Sequence, residues 1–315
     1  MRRFLSLLWN GRDLRHQPIA LPGGAEPLVR LELHNPDSPP RDVSTEHVPV
    51  SMRPLILGVR IELAHDDADA QKCELVVRDR VTGIELGGIE LTPCGSVPLN
   101  EAARLQLYRT TGSRNATTPA LERWWRYVLA WEHARRAPAR GDGLRMSASD
   151  LRCLNVYYMS PRPVYLIGVA EGGRSNFFPM DLVSRVDASH FLLALRKTSP
   201  AIELMEKSQV IAMSAAPADQ VRAVYALGTH HRKSNVDTSL LPFSLVRSAL
   251  HGLPALSTGY TCELSVQHVH RHGTHKLFVC HVEAEQGTAP RQLAHISGMY
   301  AEWLARHGRP VEEAK

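Results

Sequence analysis

Leu192-Leu193-Ala194-Leu195-Arg196-Lys197-Thr198-Ser199-Pro200-Ala201 is the stretch on which the reading of this chain turns. An apolar run of strand length ends in two cations and two hydroxyls, and proline then stands where a helix starts. Free backbone N–H groups and the positive end of a helix dipole face an incoming anion at such a corner. Thr198 and Ser199 add hydroxyl donors, and Arg196 and Lys197 add neutralising charge. The same residues also describe an ordinary helix capped by Ser199, with both cations in solvent.

Outward from this corner the pattern stays rich in strands. Strands are predicted at Pro163 to Ala170, His190 to Leu195, Gln209 to Ser214, Tyr260 to Gln267 and Lys276 to Glu283. Short helices are predicted from Ser199-Pro200 to about Lys207 and from Pro217 to about Leu227, each opened by a proline in its first turn. Strands outnumber helices and do not alternate strictly with them, which points away from a doubly wound sheet and towards a β-barrel with helices outside. Upstream, Gly172-Gly173 reads as a hairpin turn leading into Arg174 to Ser184, a segment with two adjacent aromatics, a proline and a methionine. Flat apolar surface beside exposed backbone polar groups suits a planar ring, although Phe177, Phe178 and Met180 also suit a barrel core.

The N-terminal half reads differently. Residues 17 to 46 are rich in turn formers, with one strand at Leu28 to Leu33. From Val48 to Leu99 short β-type runs recur, including Leu55 to Leu63 and Cys73 to Val77, with a turn at Val81-Thr82-Gly83. Thr118-Pro119 opens a helix over about 119–137, with Leu121, Trp124, Trp125, Val128 and Leu129 on one stripe, the pattern of a core or interface face. Pro138 to Gly143 reads as the linker between two domains, 1–145 and 146–315. No internal repeat is apparent.

Bulk properties narrow the function. The 315 residues carry a net charge of +5, are 43% hydrophobic and 22% charged, and contain five cysteines without a Cys-x-x-Cys pair. The balance is that of an ordinary folded chain without a membrane span, and the arginines form no continuous tract of the kind that binds nucleic acid. The odd cysteine count suits reduced thiols, and the opening Met1 to Trp9 is too short an apolar run for an export signal, so a cytoplasmic location is expected. Gly-x-Gly-x-x-Gly, Walker and Gly-x-Ser-x-Gly patterns are missing from the sequence.

The order of segments adds a specific likeness. Pro161 to Gly168, Asn176 to Ser184, Leu195 to Ser199, Gly252 to Leu256 and Gly273 to Val279 together resemble the flavin-reductase-like family of FMN-binding split β-barrel proteins, over roughly Met159 to Trp303. The resemblance implies an α+β, mainly β fold: an FMN-binding split barrel preceded by a small β-rich N-terminal module and a linking helix. It implies an oxidoreductase passing hydride from NADH, NADPH or another donor through FMN, or else a flavin carrier or sensor without turnover. Residues Asn176, Phe178, Met180, Asp181 and Ser184 would meet the ring or ribityl chain, and Arg196, Lys197, Thr198 and Ser199 the phosphate. His275 would lie at the reacting face. A homodimer with flavin near the interface is implied, with a partner oxygenase or another flavin acceptor. Many reductases of the family read Gly-Asp-His, four residues, then Gly; here Thr274 stands for the Asp and Cys280 for the second Gly.

Two further clusters carry chemistry in principle. His268, His270 and His272 share one face of a strand, a spacing able to hold a metal, but without a nearby carboxylate they read better as a solvent-facing hairpin, and no metal site is expected. Gly228 to Ser234, containing His230, His231, Arg232 and Lys233, reads as an exposed basic loop or as a lid over a phosphate.

Overall fold

The computed structural model describes residues 16–23, 26–63, 72–136, 146–289 and 291–315. The opening Met1 to Trp9 and the predicted linker Pro138 to Gly143 lie outside these residues. The chain starts with β1 (His16–Pro22) and then builds one sheet from β2 (Val29–His34), β3 (Arg41–Asp42), β4 (His47–Met52), β5 (Leu55–Glu62), β6 (Cys73–Asp79), β7 (Glu85–Pro98) and β8 (Ala103–Asn115). Their order across the sheet is β3-β2-β6-β7-β8-β5-β4, all antiparallel. The predicted turn after β6 is present: Asp79 Oδ1 accepts from the Thr82 N–H at 2.8 Å, and Gly83 takes φ +71°.

Two helices follow, α1 (Ala120–Arg136) and α2 (Ala148–Tyr157). On α1, Leu121 is 80% exposed and Trp124 59%, so these members of the predicted stripe are not part of the core. On α2, the Ser147 side chain accepts from the Asp150 N–H, and the apolar residues from Cys153 to Tyr157 pack into the N-terminal core.

The C-terminal half contributes β9 (Arg162–Pro163), β10 (Tyr165–Glu171), β11 (Arg174–Met180), β12 (Val183–Arg185) and β13 (His190–Arg196). After these come α3 (Ala201–Ser208), β14 (Val210–Ala215), α4 (Val221–Ala226), β15 (Leu245–Arg247) and β16 (Pro254–Leu256). The half ends with β17 (Thr261–His272), β18 (His275–Gln286), β19 (Arg291–Ser297) and α5 (Gly298–Arg306). The main sheet runs β11-β10-β14-β17-β18-β13-β12. Alternating residues of β13 explain its place: Phe191, Leu193 and Leu195 fill the barrel with Phe278 and Met205, while Leu192 and Ala194 face the N-terminal half. Where β10 passes β16, Gly168 is required, because a Cβ there would sit 1.8 Å from the Pro254 carbonyl oxygen.

The division at 145/146 does not separate two self-contained cores. Strand β1, from the N-terminal end, pairs with β19, while Tyr300, Trp303 and Leu304 of the C-terminal α5 pack with Val29, Leu31 and Leu57. A third apolar cluster joins the halves directly, with Val48, Val50, Leu105 and Leu107 against Leu192, Ala194, Leu277 and Val279. The N-terminal part is also no minor appendage, since its sheet has as many strands as the other.

Candidate functional site

The corner at the end of β13 is built as a donor-rich turn. Arg196 closes the strand, and the Lys197 N–H donates to the Thr274 carbonyl at 3.0 Å, tying the turn to the β17–β18 hairpin. Lys197 and Thr198 are exposed and Arg196 is half-buried. Ser199 does not cap α3; its hydroxyl donates to the His231 carbonyl. That bond brings Gly228 to Ser234 alongside the corner, with Arg232 and Lys233 exposed. Two cationic segments distant in sequence therefore share one surface, which favours an anionic group.

Asn176 is fully buried and clamps the same loop, its amide donating to the carbonyls of His230 at 3.0 Å and Lys233 at 2.8 Å. His230 returns the contact through Nδ1 to the Phe177 carbonyl at 3.1 Å. Asn176 and Ser199 thus hold the basic loop in place through their side chains. Phe178 and Met180 lie in the barrel core with Ile167, Leu193 and Phe278, so their side chains are filling and present no ring surface.

Asp181 is likewise engaged by the protein. Its carboxylate accepts from Arg162 Nη1 at 2.5 Å and from His295 Nδ1 at 2.9 Å, and His295 Nε2 meets the Tyr225 hydroxyl at 3.0 Å. The Arg162 guanidinium also reaches His16 Nδ1 at 2.8 Å and lies 3.4 Å over the Tyr158 ring. Burial alone would raise the Asp181 carboxyl, but the charge of Arg162 and the His295 hydrogen bond outweigh it and hold the group well below the usual carboxylate range. The cluster reaches the Arg196 end of the sheet: Ala194 N–H donates to Leu182 O at 2.9 Å, which sets Asp181 beside the last residues of β13. A cavity of about 280 Å³ connects the two features, lined by Arg196, Tyr158, His16, Asn155 and, from the N-terminal half, Met52.

His275 opens β18 directly opposite Arg196. It is only 1% exposed, beneath the N-terminal segment Ser51 to Arg53. Met52 N–H donates to its Nδ1 at 3.4 Å, the Thr274 hydroxyl lies 3.0 Å from the same nitrogen, and Ser51 Oγ accepts from the Thr274 N–H at 3.2 Å. With Nδ1 accepting, the neutral ring carries its proton on Nε2. Burial, then Arg196 and Lys197, lower its pKa to about 4. The unfolded chain protonates this histidine near pH 6.5 and the folded chain only near 4. Stability is therefore expected to fall across that window by up to about 3 kcal/mol and to level off below it. Denaturant titrations of the wild type and His275→Gln from pH 7 to 4 check this: the gap between the two curves should change across the window, and parallel curves would refute the assignment.

Ser184 lies elsewhere. It pairs with Leu192, four residues before Arg196 and about 13 Å away along β13. Between them Leu192 and Ala194 are covered by the N-terminal half. Ser184 instead lines a cleft of about 1120 Å³ at the opposite end of the junction, with Arg60, Glu46, Asp187 and Phe191. The histidine row forms the predicted face of β17, His270 stacking on His272 at 6.2 Å and lying 6.1 Å from His268. Among the described residues no group of three His, Cys, Asp or Glu side chains is placed to hold a metal.

Residues 157–304 match the family described as "Flavin reductase like domain". The C-terminal half is a flavin reductase-like domain. No curated protein matches the chain. Among solved structures, an NADH:FAD oxidoreductase of Streptomyces globisporus is 18% identical over 47% of this chain and 89% of that one, with a TM-score of 0.42. An FMN-binding protein of Thermus thermophilus with bound p-hydroxybenzaldehyde is 27% identical over 42% of this chain and 74% of that one, at 0.37. A homologue of nitrilotriacetate monooxygenase component B from Mycobacterium thermoresistibile is 18% identical over 46% and 80%, at 0.40.

Within the flavin reductase-like domain the altered hairpin has a physical setting. Thr274 bonds to Ser51 and His275, and Cys280 faces the barrel core opposite Phe191, where burial pushes its thiol up. Arg162, His295, Tyr158 and Tyr225 were not singled out by sequence as site residues. Arg162 falls within a segment carrying the family likeness, but only folding brings it to Asp181. Met52 and Ser51 carry no local signal at all. No helix among the described residues is long and apolar enough to cross a membrane.

Proposed function

We propose that this chain is an FMN-dependent oxidoreductase that takes hydride from NADH, NADPH or another reduced donor and delivers it to a small-molecule acceptor or to a partner oxygenase. The observation that carries the reading is the joining of Arg196, Lys197 and Thr198 to the basic segment around Arg232 by the Ser199–His231 bond, beside the cavity that Arg196 lines. The donor set suits a phosphate: an exposed and a half-buried cation with a hydroxyl on one turn, and a second basic loop alongside. The fit is weaker for the ring, since Phe178 and Met180 are core and the cavity lies just below the usual size of a small-molecule pocket. Bound FMN supplies the hydride and electron chemistry. In this arrangement Arg196, Lys197 and Thr198 bind the phosphate, Arg196 adds positive charge at the cavity wall, Tyr158 and Met52 exclude water, and neutral His275 holds a proton on Nε2.

The purified protein is expected to be yellow, to release FMN on denaturation and to bleach when mixed anaerobically with NADH or NADPH. A colourless protein that takes up no added FMN would overturn the reading. The flavin carrier or sensor is favoured by one observation, the cover that Ser51 to Arg53 place over His275. A yellow protein that neither nicotinamide bleaches would decide for that second reading.

A further inference from the structure

The two large sheets share a strand order and also a register. In chain order, the strands of the N-terminal sheet are β2 to β8, and those of the C-terminal sheet are β10 to β14 with β17 and β18. Numbering each set one to seven, both sheets run 2-1-5-6-7-4-3. In both, the last residue of the fourth strand pairs with the first residue of the seventh: Arg196 with His275, and Glu62 with Ala103. Counting from that pair, Leu105 and Leu107 of β8 correspond to Leu277 and Val279 of β18. All four lie in one apolar cluster between the two sheets, into which β4 also packs against β12, β13 and β18. Like faces of like sheets meet, as in an isologous dimer, but inside a single chain.

We propose that the N-terminal half is a second copy of the barrel that has given up its own ligand corner and serves as the built-in partner of the flavin reductase-like domain, so that one chain carries one complete site. The counterpart positions support the loss. Where the C-terminal barrel has Arg196-Lys197, the N-terminal one has Glu62-Leu63, and Ala103 stands in place of His275. The charge at the paired strand end is thus reversed, from Arg196 to Glu62. The pseudo-twofold also accounts for the large cleft. As Met52 of β4 lines the surviving site with Arg196, Asp187, two residues past β12, meets Arg60, two residues before Glu62, at its mirror. There Arg60 is neutralised by Glu46 at 3.4 Å, Glu62 at 3.5 Å and Asp187 at 3.5 Å. The remaining contribution of the N-terminal copy is the Ser51–Met52 wall of the C-terminal site. The homodimer implied by the family likeness is thereby recast as an interface between two halves of one chain.

The claim of a partner in the same chain rests on topology; the stoichiometry also rests on the proposed flavin binding. The full chain carrying Arg60→Cys and Asp187→Cys in a Cys94→Ser background leaves the other cysteines buried. Heavy and light isotopic forms are mixed and treated with a short bismaleimide. A link joining residues 60 and 187 of the same chain is expected. A link between heavy and light chains overturns the proposal, as does no link when both thiols accept a monofunctional maleimide. The second measurement, on wild-type protein, is FMN bound per chain. One is expected; two, or one per two chains, overturns the single-site claim. If no FMN binds, the flavin reading fails and the cross-link still decides the partner.

Discussion

Arg196→Ala combined with Lys197→Ala is expected to weaken FMN binding about a hundredfold or more while leaving the melting temperature nearly unchanged. Charge-assisted hydrogen bonds to phosphate are worth about 1.5–3 kcal/mol each, and two are removed. The turn itself is held by other groups, through the Lys197 N–H to Thr274 and the Ser199 hydroxyl to His231. Fluorescence quenching of added FMN gives the affinity, and circular dichroism the stability. If binding survives intact, the corner is only the entrance to α3. As a contrast, Ser199→Ala should act indirectly, by freeing the basic loop, and should cost less.

Asp181→Ala is expected to have the largest effect on stability, about 3 kcal/mol, or roughly a 5–10 °C fall in melting temperature. The change leaves Arg162, whose side chain is 6% exposed, without its counter-charge and His295 without its acceptor. Replacing Arg162 by Met in the same chain should recover much of the loss, since the penalty comes from an unpaired buried cation. Acid should mimic the variant. The folded carboxyl titrates below its unfolded value, so its contribution is present above about pH 4 and is lost as the pH falls further. Thermal denaturation of the single and double variants at pH 7 and pH 3.5 tests both points. A single variant that melts with the wild type would show that Asp181 is solvated and the cluster loose.

The local features were legible for local reasons. The apolar run of β13 and the proline before α3 lie within ten residues, and period-two patterning with turn formers marked most strands of both sheets. The site side chains were less legible. Asn176, Phe178, Met180 and Asp181 were grouped by their place in a family pattern, yet alternation along β11 sends Phe178 and Met180 into the barrel, and folding commits Asn176 to carbonyls more than fifty residues away and Asp181 to Arg162 and His295. Arg196 and His275 were named separately; antiparallel register set them opposite one another.

By itself the sequence determined a mainly β chain, a cationic turn ahead of α3 and a family likeness confined to the C-terminal half, because each is written in contiguous residues or short spacings. It showed no repeat. The tertiary structure alone revealed that the strand order of Tyr165 to Gln286 is already present in Val29 to Asn115, that Ser199 ties a second basic loop to the turn, and that Ser51 and Met52 close the site. The physical reason is that a sheet topology needs only alternating apolar residues, which many sequences satisfy. The two copies could keep their strand order and shared interface while the residues at their corners diverged in charge, from Arg196 in one to Glu62 in the other.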